Sequence, residues 1–337
     1  MAPDLAAPDL AGPDLPAIGV AGAGRIGRGI ALAFAYAGYQ VVLIDLKHRD
    51  AAGAQALADS ALIEIGRDLD FLAGVGVLDP ADLAEVAGLV RVVGAAGAPS
   101  AISACDVIFE GVPETIDAKQ DCFAILSAHA RPGCVIASTT STIGADMLAA
   151  FVTGPERFCN AHWLNPAHLM PLVEISPCAA TAPETIRNLR ALLTAIGKVP
   201  IVCKSSPGYI VPRIQALAMN EAARLVEEGV ASAEDIDTAV TVGFGLRFAV
   251  LGLLEFIDWG GGDILYNAGN FLAENIDPAR FAPPAIVRAN MAQGRRGLRD
   301  GAGFYDYTNT DLAAYRTARL SAFVGLLQHR GLMPRRG

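Results

Sequence analysis

The sequence predicts an α/β protein: an open, largely parallel sheet with helices on both faces, followed by a smaller all-helical domain. Three observations predict it. A glycine turn, Gly22-x-Gly24-x-x-Gly27, stands between a short apolar run at Ile18–Val20 and a helix-like run from Ile26 to Phe34. Apolar runs and helical runs then alternate as far as Cys203, the pattern of stacked strand–helix units. Beyond Lys204 that alternation stops and only helical spacing is left.

The first unit, AIGVAGAGRIGRGIALAFAYAGYQVVLIDL, covers residues 17–46. It reads as strand, turn, helix and second strand, with Gly38 ending the helix and Asp45 closing the second strand. The glycines permit a tight turn, close approach of backbone to a pyrophosphate, and tight packing of helix on strand. The helix N-terminus offers free N–H groups and a positive dipole end to phosphates. An acid at the end of the next strand suits the adenosine ribose 2′-hydroxyl and repels a 2′-phosphate. Gly22, Gly24, Arg25, Ile26, Gly27 and Asp45 are therefore the expected dinucleotide-binding residues of a Rossmann-type domain, with NAD expected over NADP. Lys47, His48 and Arg49 follow at once and oppose part of that repulsion.

The stretch 50–95 reads as helical, broken at Gly74, Gly76 and Pro80. Strands are expected at 106–111, 134–141, 157–163, 171–175 and 199–203, with helices at 115–130 and from Thr181 to Gly197. TAPE at 181–184 has the form of a capping box with Pro in the first turn. From 209 onward the spacing is helical, with Gly229 as a stop and Ser232 as the next cap. The expected organisation is a flexible tail at 1–16, where PDL recurs, and a nucleotide-binding domain at 17–203. A helical domain at 207–315 and a polar extension at 316–337 complete it.

Composition narrows the function. A net charge of −9 argues against a nucleic-acid surface, because backbone phosphates would be repelled. The cysteines at 105, 122, 134, 159, 178 and 203 include no C-x-x-C pair, which suits reduced thiols rather than zinc or redox sites. No apolar run of transmembrane length and no signal-peptide pattern is present, so a cytoplasmic enzyme without membrane contact is expected.

The chemistry concentrates in NAHWLNPAHLMPLVEI, residues 160–175. His162 and Glu174 both lie in strand-like apolar surroundings, where a carboxylate is costly unless paired. Either they satisfy one another as a buried pair, or Glu174 orients the His162 imidazole for proton transfer. His168 has no third partner at metal-ligand spacing and reads as a loop residue, so no metal is expected. Asn165 and Pro166 shape the turn between the two strands.

In order along the chain, GAGRIG with Asp45, FEGVPE (109–114), STTST (138–142), AHWLNPAHLMPLVEI, SPGYIV (206–211) and GRRGLRDGAGFYDY (294–307) together resemble the L-3-hydroxyacyl-CoA dehydrogenase family. The resemblance runs from about residue 17 to residue 310, nearly the whole folded chain. It implies a Rossmann domain followed by a helical domain, a homodimer, and oxidation of a 3-hydroxy group with NAD. It also implies that His162 abstracts the hydroxyl proton, that Glu174 orients it, and that Ser141 hydrogen-bonds the reacting oxygen. Ser141 also reads as a helix cap, with Ser138 as the nearest competitor for its catalytic place. Glu110 and Lys119 are implied to line the cofactor, and Asn165 to approach the substrate.

Three departures bear on the substrate. Pro212 stands where the family has an asparagine, removing a side-chain donor, with Gln215 one helical turn on. Arg247-Phe248, in FGLRFAVLGLLEFIDWGGGDI (244–264), resembles relatives acting on small hydroxy acids such as L-gulonate or carnitine. An arginine there suits a substrate carboxylate, or an interdomain ion pair. Finally, 56–74 carries only Arg67 among Asp59, Glu64, Asp68 and Asp70, poor electrostatics for CoA phosphates. The leading expectation is a short L-3-hydroxyacyl-CoA such as 3-hydroxybutyryl-CoA. The alternatives are a CoA-free 3-hydroxy acid and, in a different class, a non-catalytic NAD-binding structural protein.

Overall fold

The computed structural model of the protein describes residues 15–334. Most of the expected N-terminal tail and the last three residues lie outside that range. Eight strands form one sheet: β1 Ile18–Ala21, β2 Val41–Ile44, β3 Val90–Val93, β4 Val107–Glu110, β5 Val135–Ser138, β6 Phe158–Trp163, β7 Leu172–Pro177 and β8 Val199–Val202. Their order is β3-β2-β1-β4-β5-β6-β7-β8. Every neighbouring pair is parallel except β6 and β7, which run antiparallel through a short hairpin.

Seven helices accompany the strands: α1 Arg25–Tyr36, α2 Ala51–Gly74, α3 Leu83–Gly88, α4 Ala98–Ala104, α5 Ile116–His129, α6 Ala145–Ala149 and α7 Pro183–Ala195. The strands are apolar on both faces, and successive residues feed opposite cores, as the period of two requires. Val41 and Leu43 join Phe34, Phe109, Leu69 and Leu192 on one side. Val42 and Ile44 join Ile102, Phe123, Leu126 and Leu148 on the other. Both faces are thus covered by helices, as the alternation predicts.

Two local expectations are corrected. The stretch 50–95 is not helical throughout, because β3 closes it and pairs with β2 from Val41↔Val90 to Ile44↔Val93. Nor does Thr181 cap α7. The helix starts after Ala182, which makes no side-chain cap bond. The Thr181 hydroxyl instead donates to Phe158 O (2.6 Å) and accepts from Cys178 N (2.8 Å).

After β8 the chain is helical. α8 Val211–Glu227 is followed by α9 Ala233–Thr238, α10 Gly245–Phe248, α11 Leu253–Gly260, α12 Gly262–Asn275, α13 Pro278–Phe281 and α14 Ala285–Ala292. Ser232 caps α9 by accepting from Asp235 N. By compactness the chain divides into two units at Ala218–Met219, inside α8. The expected C-terminal extension is largely one helix, α15 Leu312–His329, anchored in the second unit by Arg319 on Glu255 (2.7 Å). In the same unit Asp258, 2% exposed, accepts from Phe304 N and Tyr305 N and so pins the GFYDY segment.

Candidate active site

Cross-strand register gathers the chemistry at one edge of the sheet. Ile44, Ala21, Glu110, Ser138 and Asn160 form one row of partners across β2, β1, β4, β5 and β6. Glu110 stands in that row, and the glycine turn, Asp45 and Ser141 follow just past it, at the carboxyl ends of the parallel strands, where open α/β sheets bind ligands. A cleft of about 610 Å³ opens there, lined by the glycine turn, Asp45, Glu114, Thr139 and Ser141.

The three glycines differ in what they do. Gly22 has φ +113°, and a Cβ on it would meet Gly111 O at 2.6 Å. A Cβ on Gly27 would strike Gly22 O at 2.0 Å, so this glycine lets α1 press on the turn. Gly24 has nothing within 4 Å and leaves open space above the N-terminus of α1. Turn, open cradle and close packing are the separate requirements of a bound pyrophosphate. Arg25 and Ile26 line the same cleft, and Asp45 stands at its far end. The residues fit a dinucleotide.

Glu110 and Lys119 take a different place from the one expected. Both are fully buried, and Lys119 Nζ lies 3.0 Å from each carboxylate oxygen of Glu110. Ser138 Oγ donates to Glu110 Oε2 at 2.6 Å and Val112 N donates to Oε1. The pair lies behind the cleft wall, and Ser138 is committed to it. Glu114 is the acid that reaches the cleft, four residues on. Its Oε1 accepts Ser141 N (3.0 Å), Thr142 N (3.3 Å) and the Thr140 hydroxyl, while Lys119 lies 3.1 Å from its other oxygen. Burial opposes ionisation of Glu114, but the Thr140, Lys119 and Ser141 contacts outweigh it and hold its carboxyl below the ordinary range. Sequence alone does not separate two acids at one strand end. Burial does.

Ser141 lines the cleft and is not a helix cap, since α6 begins after Gly144. Its backbone is fixed by Glu114, and its hydroxyl makes no hydrogen bond among the described residues.

His162 and Glu174 are direct partners across β6 and β7. His162 Nδ1 lies 2.8 Å from Glu174 Oε2, with exposures of 4% and 0%. The second carboxylate oxygen accepts Ile210 N and Val211 N, both at 2.9 Å, at the start of α8. Burial alone would raise the Glu174 pKa. The bonds from His162, Val211 and Ile210 prevail and hold it below the ordinary range. With Nδ1 on the carboxylate, Nε2 is the ring nitrogen left to exchange a proton, and it makes no hydrogen bond among the described residues.

Tyr209, within SPGYIV but given no role by the sequence, stacks on the His162 ring at 5.9 Å and 25°. Its φ of +43° is strained for a side-chain-bearing residue, and its hydroxyl donates to Ile143 O at 2.6 Å. The dyad is thereby tied to the segment following Ser141. Lys198 was missed too. It is 4% exposed and donates to Ala167 O (2.7 Å), Met170 O (2.9 Å) and His168 O (3.3 Å) in the β6–β7 hairpin. A buried lysine without a carboxylate is a signal that only packing reveals.

The remaining candidates stand apart from this geometry. Asn165 is exposed before a cis peptide bond to Pro166, and its side chain makes no hydrogen bond among the described residues. Pro212 is the second residue of α8, and Gln215 is exposed. His168 lies 4.0 Å from Asp68 in the first unit. Arg247 belongs to the second unit, exposed on α10 with its guanidinium 5.7 Å from the Phe256 ring.

Comparison with known proteins gives this geometry a family. The 3-hydroxyacyl-CoA dehydrogenase NAD-binding domain matches residues 17–206, and the C-terminal domain of the same family matches 208–307. The chain is 32% identical over 310 residues to the 5-formyl-3-hydroxy-2-methylpyridine 4-carboxylate 5-dehydrogenase of Mesorhizobium japonicum, covering 92% of this chain and 96% of that one. It is 31% identical to the 3-hydroxybutyryl-CoA dehydrogenase of Bradyrhizobium diazoefficiens, over 86% of this chain and 94% of that one. A 3-hydroxyacyl-CoA dehydrogenase structure from Archaeoglobus fulgidus superposes with a TM-score of 0.74 at 29% identity, over 95% of this chain and 100% of that one. The chain belongs to the 3-hydroxyacyl-CoA dehydrogenase family and is an NAD-dependent oxidoreductase.

Proposed function

We propose that the protein oxidises the 3-hydroxy group of a short L-3-hydroxyacyl-CoA, with 3-hydroxybutyryl-CoA as the leading candidate, to the 3-keto product. The observation that carries this reading is the buried His162–Glu174 pair at 2.8 Å, one strand beyond the segment bearing Ser141. His162 Nε2 takes the hydroxyl proton. Glu174 fixes the tautomer and stabilises the imidazolium that forms, anchored itself by two backbone N–H groups. Ser141 holds the substrate oxygen, its own position set by Glu114. The glycine turn and Asp45 would hold NAD, which supplies the hydride acceptor when bound. Family membership and the Bradyrhizobium relative favour a thioester substrate.

A second reading, a CoA-free hydroxy acid, has its own support. The single basic residue of 56–74, Arg67, is already paired with Glu64 at 2.6 Å, leaving α2 acidic where CoA phosphates would need cations. The Mesorhizobium relative is named for a pyridine carboxylate. In this reading Arg247 binds the substrate carboxylate. NADH formation against matched panels of 3-hydroxyacyl-CoA thioesters and free 3-hydroxy acids separates the two. Turnover of thioesters supports the first reading, turnover confined to acids the second, and none with either removes both.

Two further proposals follow the family. A homodimer would cover apolar side chains now exposed, among them Leu217, Met219, Ile264 and Phe271. A cytoplasmic location suits six free thiols, five of them buried.

A further inference from the structure

Asp45, at the ribose end of the cleft, is not a free carboxylate. Arg49 Nε donates to its Oδ2 at 2.6 Å, and Lys47 N approaches Oδ1 at 3.4 Å. The Asp45 side chain is 10% exposed, whereas Arg49 keeps 34% of its side chain in solvent. Arg49 precedes α2 in the loop after β2, so its guanidinium swings by side-chain rotation alone, without disturbing the sheet. The next acid, Asp50, is engaged as the N-cap of α2, accepting Gly53 N at 2.8 Å.

The charge of the cleft points the same way. Its lining holds Arg25, Arg28, Lys47 and Arg49 against Asp45 and Glu114, an excess of cations in a chain whose net charge is −9. Lys119 further offsets Glu114. Arg28 is tied to Ala23 O at 3.0 Å, but neither Arg25 nor Lys47 makes an ion pair among the described residues. A lone aspartate at this place repels a 2′-phosphate, while a nearby arginine accommodates one. Here both are present, and the arginine neutralises the aspartate.

We propose that Arg49 and Lys47 form a subsite for the 2′-phosphate of NADP, so that the cleft accepts both dinucleotides and Arg49 sets the margin by which NAD leads. With NAD, Arg49 stays on Asp45 Oδ2, and the ribose hydroxyl donates to Oδ1, which carries only the long contact from Lys47 N. With NADP, the guanidinium transfers to the phosphate, an anion it binds in two-pronged fashion. No bond is made or broken. The subsite rests on the NAD-binding assignment, and NADH is titrated alongside so that failure of either is seen separately.

The test is equilibrium titration of the full chain with NADH and with NADPH, followed by nicotinamide fluorescence, which needs no knowledge of the substrate. NADPH should bind the wild type within roughly a hundredfold of NADH. Arg49→Gln should weaken NADPH roughly tenfold to a hundredfold more than NADH, the size of one charged hydrogen bond. A parallel Lys47→Gln should show the same differential at smaller size. Equal loss for both nucleotides in Arg49→Gln would overturn the subsite. So would a wild type that binds NADH but not NADPH at roughly a thousandfold higher concentration.

Discussion

Asp45, Glu114 and Glu174 are three carboxylates that divide the work of the site, and each carries a prediction. If Asp45 favours NAD by accepting the ribose hydroxyl, as proposed, Asp45→Ser should narrow the gap between NAD and NADP in kcat/KM. A variant with an unchanged ratio would remove Asp45 from cofactor choice. Glu114 and Glu174 are both held below the ordinary glutamate value of 4.5 by their donors. A depressed carboxyl pKa contributes stability that is fully present above the unfolded value and is lost as pH falls through the folded one. The melting temperature should therefore drop as pH is lowered below 4.5, and Glu114→Gln and Glu174→Gln should each flatten that drop. Parallel pH curves for wild type and variants would contradict the assignment. Much of this was legible in the sequence, because a turn, a ribose acid and a proton-transfer pair each demand fixed residue types at fixed spacing. Glu110 was not separable from Glu114, since the spacing is similar and only burial tells a structural ion pair from a cleft-lining group.

The β6–β7 hairpin is the element that makes the dyad. Its antiparallel register alone sets His162 opposite Glu174, and a slip of one residue would point them to opposite faces. Lys198 holds the hairpin turn through three carbonyl oxygens, under a burial that lowers its pKa to about 8. Lys198→Met would leave those carbonyls without their donor. We expect a loss of about 1–3 kcal/mol in urea unfolding, because orphaned acceptors cost more than the relief of burying an ammonium returns. An unchanged or increased midpoint would contradict that balance. Most of the strands that sequence revealed are buried on both faces, such as β2 and β4, though the partly exposed edge strand β8 was legible too, because its apolar run stands clear of the helix before it. β3 escaped notice because VRVV is four residues long, half exposed at the sheet edge, and follows a long helical composition. The false capping box at Thr181 has a similar lesson. A hydroxyl with a capping pattern went instead to a neighbouring strand and turn, and local pattern does not report tertiary competition for one group.

At the scale of the whole molecule, a Rossmann unit carries the cleft of the glycine turn and the proposed acid–base pair, and a helical unit carries Arg247. If the substrate is a free acid, Arg247→Ala should raise its KM roughly tenfold to a hundredfold, the worth of a charged hydrogen bond. A thioester substrate presents no carboxylate there, and its KM should be nearly unaffected. An unchanged KM for every acid turned over would remove Arg247 from substrate binding. The division into two kinds of domain was readable from the loss of strand alternation after Cys203, but the helical content of 312–329 was not, because its apolar and polar residues lack a clear stripe. The central claim is that His162, oriented by Glu174, is the acid–base group of an NAD-linked dehydrogenase. It is tested most directly by the rate of NADH formation from the best 3-hydroxy substrate, wild type against His162→Gln, with NADH affinity measured on the same samples. The account predicts a fall of about 10²–10⁴ in kcat with NADH affinity within about threefold of wild type. A folded His162→Gln variant that retains most of its kcat would contradict it.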